Sequence, residues 1–235
     1  MKKAILFSLF SSSIFTSIHA QNHEVQIAGA MHNVMRKGDL SNTIHLDTLS
    51  HKKNLYGLGP KENLKGELLV INGASYISSI GENNQIIMQK SFDVKAPFFV
   101  YTNNTDWQEK KLPKWVKSSV DLEKYLEEFS KNQEYPFVFK LTGTFKKVGF
   151  HIQNLPDGTI IKSPKDAHTN QSKFVRENVA GDIVGFFSKK HQTIFTHHDS
   201  FIHIHYINNE RTEMGHIDDL IIDNKVKLYL PKNIN

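Results

Sequence analysis

Short runs of β-branched and aromatic residues, separated by turn-forming residues, recur along most of the chain. In the run GELLVINGASYIS, Asn72 and Gly73 stand between two such segments. An Asn-Gly pair in that position favours a type I′ hairpin, because both residues accept positive φ. The strand pattern returns in QIIMQKSFDV, PFFVYTN, PFVFKLTGTFKKVGF and the region from ENVAGDIVGFF to NKVKLYLP. The sequence therefore predicts a β-rich protein.

The period of the apolar residues changes between residues 118 and 131, where apolar side chains recur at helical spacing. Ser118 and Asp121 can form a capping box at the start of this helix. Residues 25–37 fit either a strand or a helix. One main helix between two groups of strands predicts an α+β fold, with two subdomains that share a core and a soft boundary near residues 134–136.

The first twenty residues differ from the rest of the chain. A basic start, MKK, precedes the mostly apolar run AILFSLFSSSIFTSI, and small Ala20 stands before Gln21. This order predicts a signal peptide over residues 1–20, because the run is too short and too often broken by serine for a membrane span; a buried N-terminal helix is the alternative. Residues 21–235 would then form an exported protein, periplasmic or secreted, with no membrane contact after cleavage.

Composition limits the chemistry that the chain can use. The 235 residues are 39% hydrophobic and 23% charged, which suits a globular protein with its own core. Because there is no cysteine, any metal site must use histidine and carboxylate ligands. The net charge of +5 falls to about +3 without Lys2 and Lys3, and the basic residues are scattered among acidic ones. We therefore expect no nucleic-acid partner.

Three histidines lie close together in the segment FIHIHYINNERTEMGH. His203 and His205 are two residues apart, so on a strand their side chains point to the same face. The residues NNER favour a turn, and a second strand would bring His216 beside the pair, since cross-strand Cβ atoms lie about 5 Å apart. Three imidazoles on one face of a hairpin can converge on one ion. The alternative is three unrelated polar residues on strands.

Four blocks of the sequence follow one another within residues 25–223: GLGPKENLKGELLVINGASYI, GTFKKV, ENVAGDIVGFF and HIHYINNERTEMGHIDD. Taken together, they resemble the bacterial α-acetolactate decarboxylases. The last block matches the family's His-x-His pair followed by Gly-His. The resemblance implies a fold of two subdomains of mixed β-sheet, a homodimer, and decarboxylation of 2-acetolactate, a small 2-hydroxy-3-keto acid, to acetoin and CO2.

The resemblance also implies roles for individual residues. His203, His205 and His216 correspond to the family's zinc ligands, which predicts a Zn²⁺ site on a C-terminal hairpin. Glu67, in LKGEL, corresponds to the active-site glutamate. Three neutral imidazoles can hold Zn²⁺ and leave positions open for substrate. A carboxylate close to the ion, such as Glu67, can move the proton that quenches the enediolate formed when CO2 leaves.

The chain departs from the family pattern at two places. His151 stands where the family has an arginine that holds the substrate, and histidine offers one donor edge that is only partly charged at neutral pH. Losing the guanidinium fork would remove roughly 1.5–3 kcal/mol of charge-assisted binding. His151 is therefore predicted either as a catalytic replacement or as an ordinary strand histidine. The family also carries a further catalytic carboxylate after the last histidine, whereas the final residues LYLPKNIN contain no acid.

Two functions stay open at this point. The first is a zinc-dependent carboxy-lyase that acts on acetolactate. The second is an exported zinc-binding protein with the same fold and no, or altered, keto-acid chemistry. An arginine that reaches the pocket, such as Arg36, Arg176 or Arg211, would favour the first. His197 and His198, in FTHHDSF, are expected to face solvent because they belong to the loop before a strand.

Overall fold

The computed structural model describes residues 24–131 and 135–232, so the predicted signal peptide over residues 1–20 lies outside the described residues. Within these ranges the chain forms two six-stranded sheets and one two-stranded pair, with few helices. No helix among the described residues is both long and apolar enough to cross a membrane. The β-rich α+β prediction is confirmed.

Eight strands lie between residues 24 and 104. They are β1 (Gln26–Gly29), β2 (Ile44–His45), β3 (Leu55–Pro60), β4 (Glu67–Ile71), β5 (Ala74–Ile80), β6 (Ile86–Lys90), β7 (Lys95–Ala96) and β8 (Phe98–Asn103). The first sheet has the order β1-β8-β3-β4-β5-β6, while β2 pairs with β7. The predicted hairpin is confirmed between β4 and β5, where Asn72 has φ 49° and Gly73 has φ 79°. Both angles are positive, as a type I′ turn requires.

The second sheet contains the remaining strands. They are β9 (Trp107–Lys111), β10 (Phe137–Ile152), β11 (Ser172–Phe187), β12 (Ile202–Asn208), β13 (Met214–Ile221) and β14 (Lys227–Pro231). Their order is β11-β12-β13-β10-β14-β9, and β10 also pairs with β11 from one end to the other. The four strands β10 to β13 therefore close into a ring, which leaves none of them with a fully unpaired edge.

In the described part of the chain three α-helices accompany the sheets: α1 (Met31–Lys37), α2 (Ser119–Phe129) and α3 (Pro164–Ala167), with 3-10 turns at Leu46–Thr48 and Glu62–Leu64. Helix α2 confirms the predicted helix, and its cap is the predicted one, because Ser118 Oγ accepts a hydrogen bond from the Asp121 N–H at 3.2 Å. The ambiguous segment 25–37 contains both alternatives, since β1 is followed directly by α1.

Every pairing between the named strands of the described residues is antiparallel, so the expected mixed sheets are wrong. The strands pair antiparallel because of how the chain connects them. Parallel neighbours need long crossovers, which are usually helical, whereas this chain mostly joins its paired strands by turns and loops. The chain passes from the first sheet to the second between Asn103 and Trp107. The soft boundary near 134–136 falls partly on residues 132–134, outside the described residues, and stays a prediction.

The two sheets share a buried apolar layer. Leu58 and Leu69 of the first sheet pack in one cluster with Val184, Phe186 and Met214 of the second. A further large cluster fills the second sheet and includes the buried face of α2. Burial of this apolar surface at about 25 cal/mol per Å² holds the sheets against each other. Strand β4 thus lies against the β12–β13 hairpin.

Candidate active site

The three histidines of the sequence prediction lie together on the β12–β13 hairpin. His205 pairs directly with His216 across the two strands, and His203 lies two residues before His205 on the same face. Nε2 of His203 is 3.1 Å from Nδ1 of His216 and 3.2 Å from Nε2 of His205. One nitrogen from each ring lies within 4.8 Å of the others, so the side chains form a single cluster that could hold a metal ion.

Burial keeps these imidazoles uncharged. It lowers the pKa of His203 and His216 well below the usual value of 6.5 and lowers that of His205 to about 3, and the neighbouring histidines act in the same direction. Neutral imidazole is the form that ligates metals. Nitrogen lone pairs this close together repel one another unless a proton or a cation lies between them. The donor set of this cluster therefore fits a divalent ion that accepts nitrogen ligands, such as Zn²⁺.

Glu67 reaches the histidine cluster from the other sheet. It is the first residue of β4 and is only 2% exposed. Its Oε2 lies 3.7 Å from Nε2 of His205, and its Oε1 accepts a hydrogen bond from the backbone N–H of Gln153 at 3.2 Å. Burial raises the pKa of Glu67 well above its ordinary value. The structure thus places a buried carboxyl group beside the triad, where a metal or a substrate would meet it.

His151 lies on β10, directly opposite His216, and is buried. Its Nδ1 is 2.8 Å from Oδ1 of Asp218, and its Nε2 is 3.1 Å from Nε2 of Gln171. An amide nitrogen can only donate, so Nε2 of His151 accepts and its Nδ1–H donates to Asp218. His151 is therefore held in one tautomer by two side chains. With two side-chain partners, His151 differs from an ordinary strand histidine.

Asp218 and Gln171 were not anticipated from the sequence. Strand β13 has a β-bulge here, since Gly149 pairs with Asp219 while the next residue of β10 pairs with Ile217. Asp218 is the extra residue of that bulge, and bulges redirect side chains. Regular alternation along β13 does suggest that Asp218 follows His216 on the same face. This alternation gives no reason, however, to expect His151 of β10 beside Asp218.

A cavity of about 540 Å³ opens over the cluster. Its polar wall includes Glu67, His151, Gln171 and Lys173, and the three histidines lie at or just below its floor. Lys173 extends from β11 directly opposite His151. An apolar wall is contributed by α1 and β8. The cavity has the size and the mixed lining of a small-molecule site.

No arginine of the described residues lines this cavity. Arg176 pairs with Glu213 at 2.5 Å, and Arg211 pairs with Asp182 at 2.6 Å. Arg36 is exposed on α1. The structure therefore provides no guanidinium in place of the arginine that the resemblance implied, and the cation at the cavity wall is Lys173.

The expectation that the loop histidines face solvent is wrong for one of them. His197 is half-buried, and its Nε2 lies 3.3 Å from Nε2 of His216. The loop between β11 and β12 closes on itself, with the Ser188 N–H donating to the Phe201 carbonyl at 2.8 Å, and this turns His197 towards the cluster. His198 is exposed, as expected.

Comparisons of sequence identify relatives over most of the chain. The sequence model of the α-acetolactate decarboxylase family matches residues 28–233. The α-acetolactate decarboxylase of Lactococcus lactis subsp. lactis is 29% identical over 162 residues, covering 68% of this chain and 64% of the relative. That of Brevibacillus brevis is 30% identical over 163 residues, covering 68% of this chain and 53% of the relative. The matched region thus spans less than two thirds of the length of either relative.

Solved structures show the same fold. The α-acetolactate decarboxylase of Bacillus subtilis superposes with a TM-score of 0.71 at 21% identity, covering 88% of this chain and 84% of that one. A Staphylococcus aureus protein of unknown function, described as similar to α-acetolactate decarboxylase, gives 0.69 at 22% identity with the same coverage. Together with the family match over residues 28–233, which confirms the resemblance of the four sequence blocks, this shows that the chain belongs to the α-acetolactate decarboxylase family.

Proposed function

We propose that this protein is a metal-dependent carboxy-lyase that converts 2-acetolactate to acetoin and CO2. The observation that carries the proposal is the junction of the two sheets, where the three-histidine cluster and buried Glu67 meet under one cavity. A cluster of neutral nitrogen donors that could hold a metal ion, beside a buried carboxyl group, suits decarboxylation of a 3-keto acid, which needs an electron sink and a proton.

The metal is proposed to be zinc, held by His203, His205 and His216. These residues give three nitrogen ligands from two adjacent strands, and the chain has no cysteine to compete with them. Bound Zn²⁺ would supply a Lewis acid for the substrate's keto and hydroxyl oxygens. The rigid hairpin fixes the spacing of the ligands before any ion arrives, which limits the reorganisation that binding requires.

Glu67 is proposed to transfer the proton that the reaction needs. When the bond between the carboxylate carbon and C2 of acetolactate breaks, its electron pair passes to the keto group, and C2 then needs a proton to give acetoin. The Gln153 N–H holds Oε1 of Glu67, so that Oε2 faces the histidine cluster. A carboxyl group fixed in this way can hold a proton at Oε2 and deliver it to C2.

The polar wall of the cavity is proposed to orient the substrate. Lys173 and His151 face each other across β10 and β11, and Gln171 bonds to His151. Lys173 supplies the positive charge that attracts a small carboxylate, and His151 supplies a polar ring beside it. Met31 and Phe98 add apolar surface to the lining of the same cavity, where the methyl groups of acetolactate can lie.

A second candidate function rests on one specific observation, the absence of arginine from the cavity wall among the described residues. A member of the family without that cation could bind zinc and carry altered keto-acid chemistry or none. We also propose that the protein is exported, because residues 1–20 have the order of a signal peptide. The family resemblance further supports a homodimer.

The two candidates differ in one assay. Purified protein of known zinc content is mixed with racemic acetolactate, and acetoin is measured against a sample treated with a chelator. Acetoin formation that the chelator abolishes supports the decarboxylase. A protein that holds one zinc per chain and forms no acetoin supports the zinc-binding alternative.

A further inference from the structure

His197 lies at the outer edge of the histidine cluster, on the loop that joins β11 to β12. Its Nε2 is 3.3 Å from Nε2 of His216, whereas Nδ1 of His216 is 3.1 Å from Nε2 of His203. The two nitrogens of His216 therefore face different residues. One faces the centre of the triad, and the other faces His197.

This arrangement determines where His216 carries its proton when it ligates a metal. A neutral imidazole has one N–H and one lone pair, and a ligand must offer the lone pair. If His216 offers Nδ1 beside Nε2 of His203, its proton must be on Nε2. That N–H then points at Nε2 of His197, the nearest acceptor that the structure gives it.

The loop holds His197 in this position through several hydrogen bonds. The N–H of Thr193 donates to the carbonyl of Thr196 at 2.8 Å, and the side chain of Gln192 donates to the carbonyl of His198 at 2.8 Å. The carbonyl of Ile194 accepts from the N–H of Met31 at 2.7 Å, which ties the loop to the start of α1. The contact between His197 and His216 thus follows from the loop's own structure.

We propose that His197 is a positioning residue of the metal centre: it accepts the hydrogen bond from Nε2–H of His216 and so keeps Nδ1 of His216 available to the ion. This inference rests on the proposed metal site. Groups that accept the second N–H of a ligating histidine fix its tautomer and the direction of its ring, and their loss typically weakens metal binding 10- to 100-fold.

The test is the zinc affinity of the whole protein, measured by competition with a chromophoric chelator. His197→Leu removes the acceptor, while His197→Gln keeps one, because its amide oxygen can accept from His216. His198→Leu is the matched control, since the neighbouring side chain is 72% exposed on the same loop. We expect the zinc dissociation constant to rise roughly 10- to 100-fold in His197→Leu and to stay near the wild-type value in the other two.

Wild-type affinity in a folded His197→Leu variant would overturn the proposal. If the leucine variant does not fold, His197→Ala takes its place with the same criterion. The absorption spectrum of the cobalt(II)-loaded protein adds a second readout: His197→Gln should keep the wild-type band pattern, and a changed pattern would make His197 a ligand and overturn the positioning role. A wild-type protein that binds no zinc would refute the metal site itself, a failure distinct from these two.

Discussion

Oε2 of Glu67 lies 3.7 Å from Nε2 of His205, although the two residues belong to different sheets. Both side chains are almost completely buried. The contact joins the start of β4 to the middle of β12, so the proposed proton-transfer group and the proposed metal ligands meet only when the two sheets pack together. A site built in this way depends on the packing of the shared core as much as on the functional residues.

Replacing Glu67 separates proton transfer from metal binding. Glu67→Gln keeps the size and polarity of the side chain but cannot carry a transferable carboxyl proton. We expect zinc content to stay at the wild-type level while turnover of acetolactate falls roughly 10²- to 10⁴-fold, the usual contribution of general acid–base catalysis. Zinc content by atomic emission and acetoin formation are measured on the same sample. Near-normal turnover in this variant would show that Glu67 does not transfer the proton.

Removing one histidine should abolish metal binding and activity together. His203→Ala leaves two nitrogen donors in a cluster that needs three, and His203 occupies the middle of the cluster, in contact with both other rings. The prediction is that zinc content and acetoin formation are lost to the same extent. His51→Ala, at an exposed position, serves as the control for the loss of a histidine. Activity without zinc in His203→Ala would contradict the metal-dependent mechanism.

Replacing Lys173 should weaken substrate binding and leave metal binding unchanged. Its charge lies at the cavity wall and its side chain is exposed, so its contribution is that of a surface ion pair, at most about 1 kcal/mol. Lys173→Ala is expected to raise KM for acetolactate up to about fivefold with little change in kcat or zinc content. Lys225→Ala removes an exposed lysine outside the cavity and gives the control. Equal KM values for the two variants would exclude Lys173 from substrate binding.

The buried histidines make the metal-free protein sensitive to acid. Because the folded-state pKa of His205 is about 3 and its unfolded value is about 6.5, the unfolded chain binds the proton first as the pH falls. Stability is therefore lost below pH 6.5, by about 2 kcal/mol for His205 alone between pH 6.5 and 5. His203 and His216 act in the same direction.

Glu67 opposes this effect, since its raised pKa favours the folded state as the pH falls. The effect of the histidines is therefore measured without that of Glu67 by urea unfolding of the metal-free Glu67→Gln variant at pH 7 and pH 5. We expect a smaller free energy of unfolding at pH 5. Equal values at the two pH values would show that the cluster is not buried and neutral in the folded protein.

The parts of the site that sequence reasoning could reach are those set by local spacing. The i, i+2 histidines of β12 and the return strand after a polar turn place His203, His205 and His216 on one face, whatever the rest of the fold does. The hairpin at Asn72 and Gly73 is equally local. Each of these predictions is confirmed, because alternation along a strand and turn chemistry need only neighbouring residues.

The remaining parts depend on contacts between distant segments. The amino-acid sequence of β13 does not indicate the bulge that turns Asp218 towards His151. The closure of the loop that brings His197 to His216 is made by backbone hydrogen bonds, which do not depend on side-chain identity. The mixed sheets came from the family resemblance and not from any pattern in the chain, and the antiparallel register corrects them. None of these three features follows from the spacing of neighbouring residues, because two depend on hydrogen bonds between residues apart in sequence and the third on how the chain connects its paired strands.

Metal-dependent decarboxylation can be measured by titrating the metal-free protein with Zn²⁺ and following the release of ¹³CO2 from acetolactate labelled at the carboxylate. We expect the rate to rise linearly with added zinc and to reach a plateau at one equivalent per chain. A plateau at one bound zinc with no release of CO2, or release that does not depend on zinc, would contradict metal-dependent decarboxylation.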